Sequence, residues 1–108
     1  SIGSRALREY NKAKDGYVYI ISNPAWKGWY KVGMAMDAED RLKSYQTSSP
    51  RRDYKLEYSR YFSDRRRAEE ETHNTLDDFS LDRNGEWFKL DLTSIQKTIG
   101  DIPNETNT

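Results

Sequence analysis

Apolar and polar positions near the start of the chain alternate in short runs that predict strands. Gly16 precedes five β-branched or aromatic residues at 17–21, a composition typical of a strand. A turn-forming segment with a proline ends this run, and residues 29–32 form a second run that Gly33 closes. Because the connection is short, the pattern predicts an antiparallel hairpin with its loop at 24–28.

The pattern then changes to helix, strand and helix. Asp37 is suited to a helix N-cap, and the helix that follows is predicted to end near Gln46. Side chains alternate over 54–62 in the manner of a half-buried strand. A narrow apolar stripe over 65–78 predicts a second helix, which Ser63 or Asp64 caps.

The remaining segments are short, and they complete the predicted fold. Residues 85–90 are predicted to be extended, and Thr93 or Ser94 begins a last short helix. This order predicts an α+β fold, a small three-stranded antiparallel sheet flanked by helices. We expect one domain with a segment on each side: a helical or flexible extension at 1–14, the folded domain at 15–100 and a flexible tail at 101–108.

Composition narrows the classes of function. The chain has 108 residues, of which 34% are hydrophobic and 33% charged, so we expect one domain with a thin core. The chain has no cysteine, which removes disulfides and thiolate zinc sites. No apolar run approaches the roughly 20 residues of a membrane span, and residues 1–15 are unlike a secretory signal. We therefore expect a soluble cytoplasmic protein without a membrane partner.

Charge is balanced over the whole chain but uneven along it. Residues 41–67 carry nine lysines and arginines against three acids, whereas residues 68–108 carry three against ten. The basic middle has the charge needed to bind phosphates. One solvated face of a small protein explains the same pattern, and charge alone leaves both interpretations open.

Two tyrosine motifs on the predicted hairpin resemble the pair that names the GIY-YIG nuclease superfamily. Tyr17-Val18-Tyr19 lies on the first strand, and Tyr30-Lys31-Val32-Gly33 lies on the second. Arg41 follows Gly33 by eight residues and lies in the first predicted helix, where the superfamily places its arginine. Glu69, on the second predicted helix, resembles the metal-binding glutamate of the superfamily. The resemblance implies a GIY-YIG-like fold.

The match departs from the superfamily pattern at identifiable positions. Counted back from Gly33, Lys31 rather than Tyr30 falls at the second tyrosine of the motif. Tyr45 stands where some members carry a histidine four residues after the arginine. The spacing of Glu69 and His73, together with the Gly-Glu-Trp-Phe segment at 85–88, is similar to a phage-type subgroup. This similarity implies a phage or mobile-element origin and a bacterial or phage-infected cell.

The resemblance implies a metal-dependent endonuclease that hydrolyses nucleic-acid phosphodiester bonds, with DNA as the expected substrate. The implied catalytic residues are Tyr19, Tyr30, Arg41 and Glu69. Tyr19 would handle the proton of the attacking water, Arg41 would stabilise charge, and Glu69 would hold Mg²⁺ or Mn²⁺. One such site cuts one strand, so a break in both strands needs a homodimer or two successive cuts, and an accessory protein could supply the targeting.

Further residues are expected to support this site, and each has a second interpretation. The possible accessory residues are Lys31, Tyr45 and His73, and the possible phosphate contacts are Arg51, Arg52, Arg65 and Arg66. Tyr19 and Tyr30 could each be an ordinary aromatic residue that packs across the strands. Glu70 is the alternative to Glu69 as the metal ligand, and His73 could instead stack on Trp87. The rival functions are a nucleic-acid-binding module with weak catalysis and a protein-interaction module on the same fold.

Overall fold

Residues 13–104 are described by a computed structural model, in which they form a five-stranded antiparallel sheet with three helices. The elements in chain order are β1 (Gly16–Ser22), β2 (Trp29–Ala35), α1 (Ala38–Gln46), β3 (Lys55–Phe62), α2 (Arg65–Phe79), β4 (Asp82–Asn84), β5 (Trp87–Lys89) and α3 (Leu92–Asp101). The strand order is β3-β1-β2-β5-β4, and all neighbours are antiparallel. Positions 1–12 of the predicted extension and 105–108 of the predicted tail lie outside the described residues.

The α+β class is confirmed, but the prediction of a three-stranded sheet is wrong. The sheet gains β5, which pairs with Trp29–Lys31 of β2, and β4, which pairs with β5. All three residues of β4 are polar and exposed, so no alternation of apolar residues marks it as a strand. Gly85 is the first residue of the two-residue turn between them and has φ 59°, as type II′ hairpins favour.

Aspartates begin all three helices in the described part of the chain. Asp37 Oδ1 accepts hydrogen bonds from two backbone N–H groups of the first turn of α1, at 2.9 and 3.1 Å, which confirms the predicted cap. Asp64 accepts from the backbone of Arg67 at 3.2 Å and caps α2. The last helix begins earlier than predicted, because Asp91 accepts from the backbone of Ser94 at 3.0 Å. Each cap satisfies donors that the helix itself leaves unpaired.

The sheet has helices on both faces and therefore two cores. The large core lies under α2 and α3 and contains Val18, Ile20, Val32, Phe62, Ala68, Leu76, Phe88, Ile95, Ile99 and Ile102. The small core lies under α1 and contains Tyr19, Ile21, Ala35 and Ala38, with Leu42, Tyr45, Tyr54 and Leu56 packed against it. Alternate residues of β1 and β2 enter opposite cores, whereas in β3 Leu56 and Tyr58 face different cores across a register shift. Neighbouring residues of the two tyrosine motifs consequently face different sides of the sheet.

An arginine of β3 anchors the end of α3. Arg60 Nη1 donates to the carbonyl oxygens of Ile99, Gly100 and Ile102, at 2.7, 3.0 and 2.8 Å. Carbonyls at a helix end have no partner within the helix, so this guanidinium satisfies them. Ile102, seven per cent exposed, belongs to the large core.

Candidate active site

Tyr19 and Gly33 are cross-strand partners at the centre of the candidate site. The Tyr19 side chain is buried under α1, with a residue exposure of 1%. A Cβ atom at Gly33 would lie 2.5 Å from Tyr19 Oη and 2.7 Å from Cζ. The phenol therefore occupies the space that the missing side chain leaves, and close approach is what requires glycine here.

Helix α1 brings a second tyrosine to Tyr19. The hydroxyl oxygens of Tyr19 and Tyr45 lie 3.3 Å apart, and Tyr45 is half-buried. Burial raises the pKa of the Tyr19 hydroxyl well above its usual range, and the hydrogen bond to Tyr45 raises it further, while the charge of Arg41 opposes both. Tyr19 is therefore a neutral phenol near pH 7, able to donate or relay a hydrogen bond.

Lys31 lies two residues before Gly33 on β2 and therefore on the same face of the sheet as Tyr19. Its Nζ lies 2.7 Å from Oε1 of Glu86 and 5.6 Å from the centroid of the Tyr45 ring. Burial lowers the pKa of Lys31, but hydrogen bonds to Glu86 and Tyr45 outweigh burial and leave this pKa above its ordinary value. Lys31 is thus a half-buried ammonium beside the two tyrosines.

Glu69 lies on α2, four residues before His73, and the charges of Lys31 and Glu86 act on its carboxyl group. This side chain is 15% exposed. Burial raises the pKa of the carboxyl from 4.5 to about 7, and the negative charge of Glu86 adds to the increase. Positive charges on Lys31, Arg66 and Arg83 offset part of it. The site thus holds a carboxylate that is short of positive charge.

His73 holds α2 against β2. Its Nε2 lies 2.8 Å from the carbonyl oxygen of Val32, so Nε2 carries the proton and donates it. The backbone N–H of Val32 donates to the carbonyl oxygen of Glu86 at 2.9 Å. The pairing of β2 with β5 stops at Lys31, so the carbonyl of Val32 bonds to His73 instead of to a strand residue. Burial lowers the pKa of His73, and its ring packs on Phe88 rather than on Trp87. Its Nε2 lies 4.0 Å from Oε2 of Glu69, so the two side chains are neighbours on α2.

The other two predicted catalytic residues have different surroundings. Tyr30 is half-buried against the large core, on the opposite face of the sheet from Tyr19. The structure therefore does not bring the two motif tyrosines together. Arg41 is half-buried in α1 and acts electrostatically on Tyr19, and no ion pair within residues 13–104 includes it. Its guanidinium has the planar fork that suits a phosphate.

The four arginines predicted as phosphate contacts fall into two groups. Arg51, Arg52 and Arg66 are exposed, and Arg52 also donates to the carbonyl at the end of α1 at 2.7 Å. Arg65 is fully buried, and its Nη1 donates to two backbone carbonyls of the segment before β1, at 2.7 and 2.8 Å. Arg65 thus ties that segment to α2 and lies away from the surface that meets solvent.

Glu86 is the residue of this region that sequence reasoning missed. Its carboxylate binds Lys31 and acts on both Glu69 and Tyr19. Asn84-Gly85 is the sequence signal of a tight hairpin, and it indicates that the segments on either side of it pair, but it does not indicate which strand lies beside Glu86.

The oxygen donors of Glu69 are compatible with Mg²⁺ or Mn²⁺. Among residues 13–104 no three His, Asp or Glu side chains cluster closely enough to form an all-protein metal site. Mg²⁺ commonly binds through one or two carboxylates and keeps several waters, so a single well-placed carboxylate suffices. The half-buried position of the Glu69 carboxyl, whose pKa burial raises, is compatible with a cation nearby.

The T5orf172 domain matches residues 16–102, which is most of the chain. That family is related to nuclease-type domains of the GIY-YIG and HNH-like kinds, and it is compatible with a nuclease-like role on nucleic acid. No curated protein and no solved structure matched. Within 13–104, no helix is both long and apolar enough to span a bilayer. By its match over residues 16–102, the chain belongs to the T5orf172 domain family.

Proposed function

We propose that this domain is a GIY-YIG-type endonuclease that uses a divalent metal to hydrolyse phosphodiester bonds, with DNA as its substrate. One observation carries the proposal: a path of polar side chains runs by contact from Tyr19 through Tyr45 and Lys31 to Glu86, and at its two ends lie Arg41 and Glu69, which are linked to it by the effect of charge alone. The family match supports the same class of chemistry.

The path contains groups suited to two requirements of phosphodiester hydrolysis. These requirements are a positioned water and stabilisation of the negative charge at phosphorus. Arg41 and Lys31 carry the positive charge for the phosphate oxygens. Tyr45, which is half-buried, orients the water, and the buried hydroxyl of Tyr19 fixes the Tyr45 oxygen by the 3.3 Å contact.

Glu69 is the residue that would hold Mg²⁺ or Mn²⁺. When bound, the cation stabilises the charge that develops on the phosphate. Glu86 stays on Lys31 at 2.7 Å, which keeps that ammonium in place beside Tyr45. His73 fixes α2, which carries Glu69, on β2.

The test is nicking of supercoiled plasmid in Mg²⁺ or Mn²⁺ by the whole chain and its variants. We expect metal-dependent conversion to open circles that is strongly reduced by Glu69→Gln, Tyr19→Phe and Tyr45→Phe. The matched controls are Glu70→Gln, at an exposed neighbour of Glu69, and Tyr30→Phe, on the other face of the sheet. Both controls should nick like the original chain.

Two results would overturn the proposal. One is absence of nicking by folded protein in either metal. The other is nicking that survives Glu69→Gln together with Tyr19→Phe. A nucleic-acid-binding module without catalysis would then be favoured, and the burial of the Tyr19 hydroxyl already supports that second candidate. Binding that weakens steeply with salt in the absence of metal would identify it.

A further inference from the structure

All three tryptophans of the chain line one cleft beside the proposed site. The chain contains three tryptophans, and Trp26, Trp29 and Trp87 all contribute to a cleft that Tyr54 and Asn84 complete. The volume of the cleft is about 350 Å³. The ring of Trp26 lies 5.6 Å from that of Trp87 and 6.4 Å from that of Tyr54, measured between centroids. This volume falls in the range of small-molecule sites, roughly 300–1,000 Å³.

The loop between β1 and β2 is built to hold Trp26 over this cleft. Asn23 is buried, and its Nδ2 donates to Asp53 Oδ1 at 3.0 Å while its Oδ1 accepts from the backbone of Ala25 at 2.9 Å. The next turn closes from Trp29 N to Trp26 O at 3.2 Å, and its third residue, Gly28, has φ 82°. The Trp26 side chain is 49% exposed, yet hydrogen bonds fix the loop that carries it.

Aromatic contacts connect the cleft to the proposed catalytic residues. The Tyr54 ring, in the wall of the cleft, lies 5.6 Å from the Tyr45 ring. Tyr45 in turn meets Tyr19 and Lys31. Trp87 is the cross-strand partner of Lys31. A planar group in the cleft therefore lies next to the path that would act on a phosphodiester.

The surroundings of the cleft carry a small positive balance of charge. Adjoining depressions share Trp26 and add Arg51 on one side and Lys27 and Lys55 on the other. Asp53 and Glu57 line the same depressions, and Glu57 lies 3.7 Å from Lys55, so Arg51 and Lys27 are the cations best placed to meet a phosphate. Stacking surfaces flanked by cations are how proteins hold single-stranded nucleic acid.

We propose that this cleft binds an unstacked nucleobase of single-stranded or locally unpaired nucleic acid. The further claim that the base adjoins the cleaved phosphodiester rests on the proposed function, whereas base binding does not. Aromatic cages also bind quaternary ammonium groups. The residues that line the cleft, however, include no acidic side chain, so the cleft itself lacks the negative charge that would favour such a cation.

The experiment measures binding of a fluorescently labelled thymidine octamer by anisotropy, with tryptophan quenching as the readout of position. EDTA is present throughout, so that cleavage does not contribute. We expect saturable quenching by the octamer and much weaker binding of an abasic octamer with the same phosphates. Trp26→Ala should weaken octamer binding roughly 5- to 150-fold, the value of one stacked base, and Trp26→Phe should keep most of the affinity. Phe79→Ala is the matched control, an aromatic that is 63% exposed and lines no part of the cleft.

Three outcomes would overturn the inference. The first is an abasic octamer that binds as tightly as the thymidine octamer. The second is a Trp26→Ala variant that is folded by circular dichroism and binds as tightly as the original chain, and the third is quenching of the tryptophans by tetramethylammonium with displacement of the octamer. Plasmid nicking separates this inference from the proposed function. If the original chain binds the thymidine octamer but does not nick plasmid, base binding stands and the proposed function fails. If the chain nicks plasmid, Trp26→Ala nicks it equally well and the two octamers bind alike, the proposed function stands and base binding fails.

Discussion

Glu69→Gln is expected to stabilise the metal-free protein at neutral and alkaline pH. Folding raises the pKa of this carboxyl from 4.5 to about 7, so the folded state binds its proton more tightly than the unfolded state between those values. The free energy of unfolding therefore falls as the pH rises through this window. The difference corresponds to about 3 kcal/mol above pH 7, because each pH unit is worth about 1.4 kcal/mol. Glutamine has the same shape without the ionisation and avoids that cost.

The assay is urea unfolding in EDTA at pH 4.5, 6 and 8 for the original chain, Glu69→Gln and the matched control Glu70→Gln. Subtracting the original chain from each variant removes the titration of every other carboxyl. We expect the advantage of Glu69→Gln to be near zero at pH 4.5 and to approach about 3 kcal/mol at pH 8. Glu70 is exposed, and its substitution should give no such trend.

A flat difference across the pH range, or a less stable Glu69→Gln at pH 8, would refute the reasoning. The first result would mean that burial and Glu86 do not penalise the charge, and the second that the ionised carboxylate has partners that compensate it. Mg²⁺ supplies an independent check, since a ligand that binds only the folded state stabilises it. Added Mg²⁺ should stabilise the original chain at pH 8 and leave Glu69→Gln unchanged.

Three further predictions follow from single contacts. Gly33→Ala should lower the free energy of unfolding by about 1–3 kcal/mol in urea, because its Cβ would lie 2.5 Å from the buried Tyr19 hydroxyl; Gly100→Ala, whose Cβ has its nearest neighbour at 4.0 Å, should not destabilise, and equal losses would contradict this account. Arg60→Met should cost about 1–3 kcal/mol by releasing the three carbonyls at the end of α3; a thermal melt that matches the original chain would show that water replaces the guanidinium. Asn23→Ala should weaken octamer binding in the anisotropy assay, because it removes two hydrogen bonds that fix the loop carrying Trp26. Unchanged binding would show that the loop keeps its conformation without them.

Local signals in the sequence predict most elements of the fold, and the missing strands show their limit. The first hairpin, the aspartate cap of α1 and the helix α2 each have a pattern that depends on neighbouring residues alone. Strand β4 has none, since Asp82–Asn84 is wholly polar and exposed. The turn at Asn84-Gly85 was the available signal, and it indicates a hairpin only when the segments on both sides are treated as strands.

Residue types in the sequence predict only part of the candidate site, because its geometry depends on strand register. Tyr30 matches the second motif by residue type, yet the pairing of Tyr19 with Gly33 fixes which residues share a face. Two residues back from Gly33 on that face is Lys31, so alternation sends Tyr30 into the large core. A shift of one residue would exchange the two side chains, and composition carries no information about that choice. The long-range partner Glu86, 55 residues after Lys31, becomes visible only once β5 is placed beside β2. For this reason the comparison of Tyr30→Phe with Tyr45→Phe tests the arrangement itself. Loss of nicking in Tyr45→Phe alone would show that activity depends on which tyrosine lies on the face of Tyr19, and loss in Tyr30→Phe alone would show that it depends on the sequence motif.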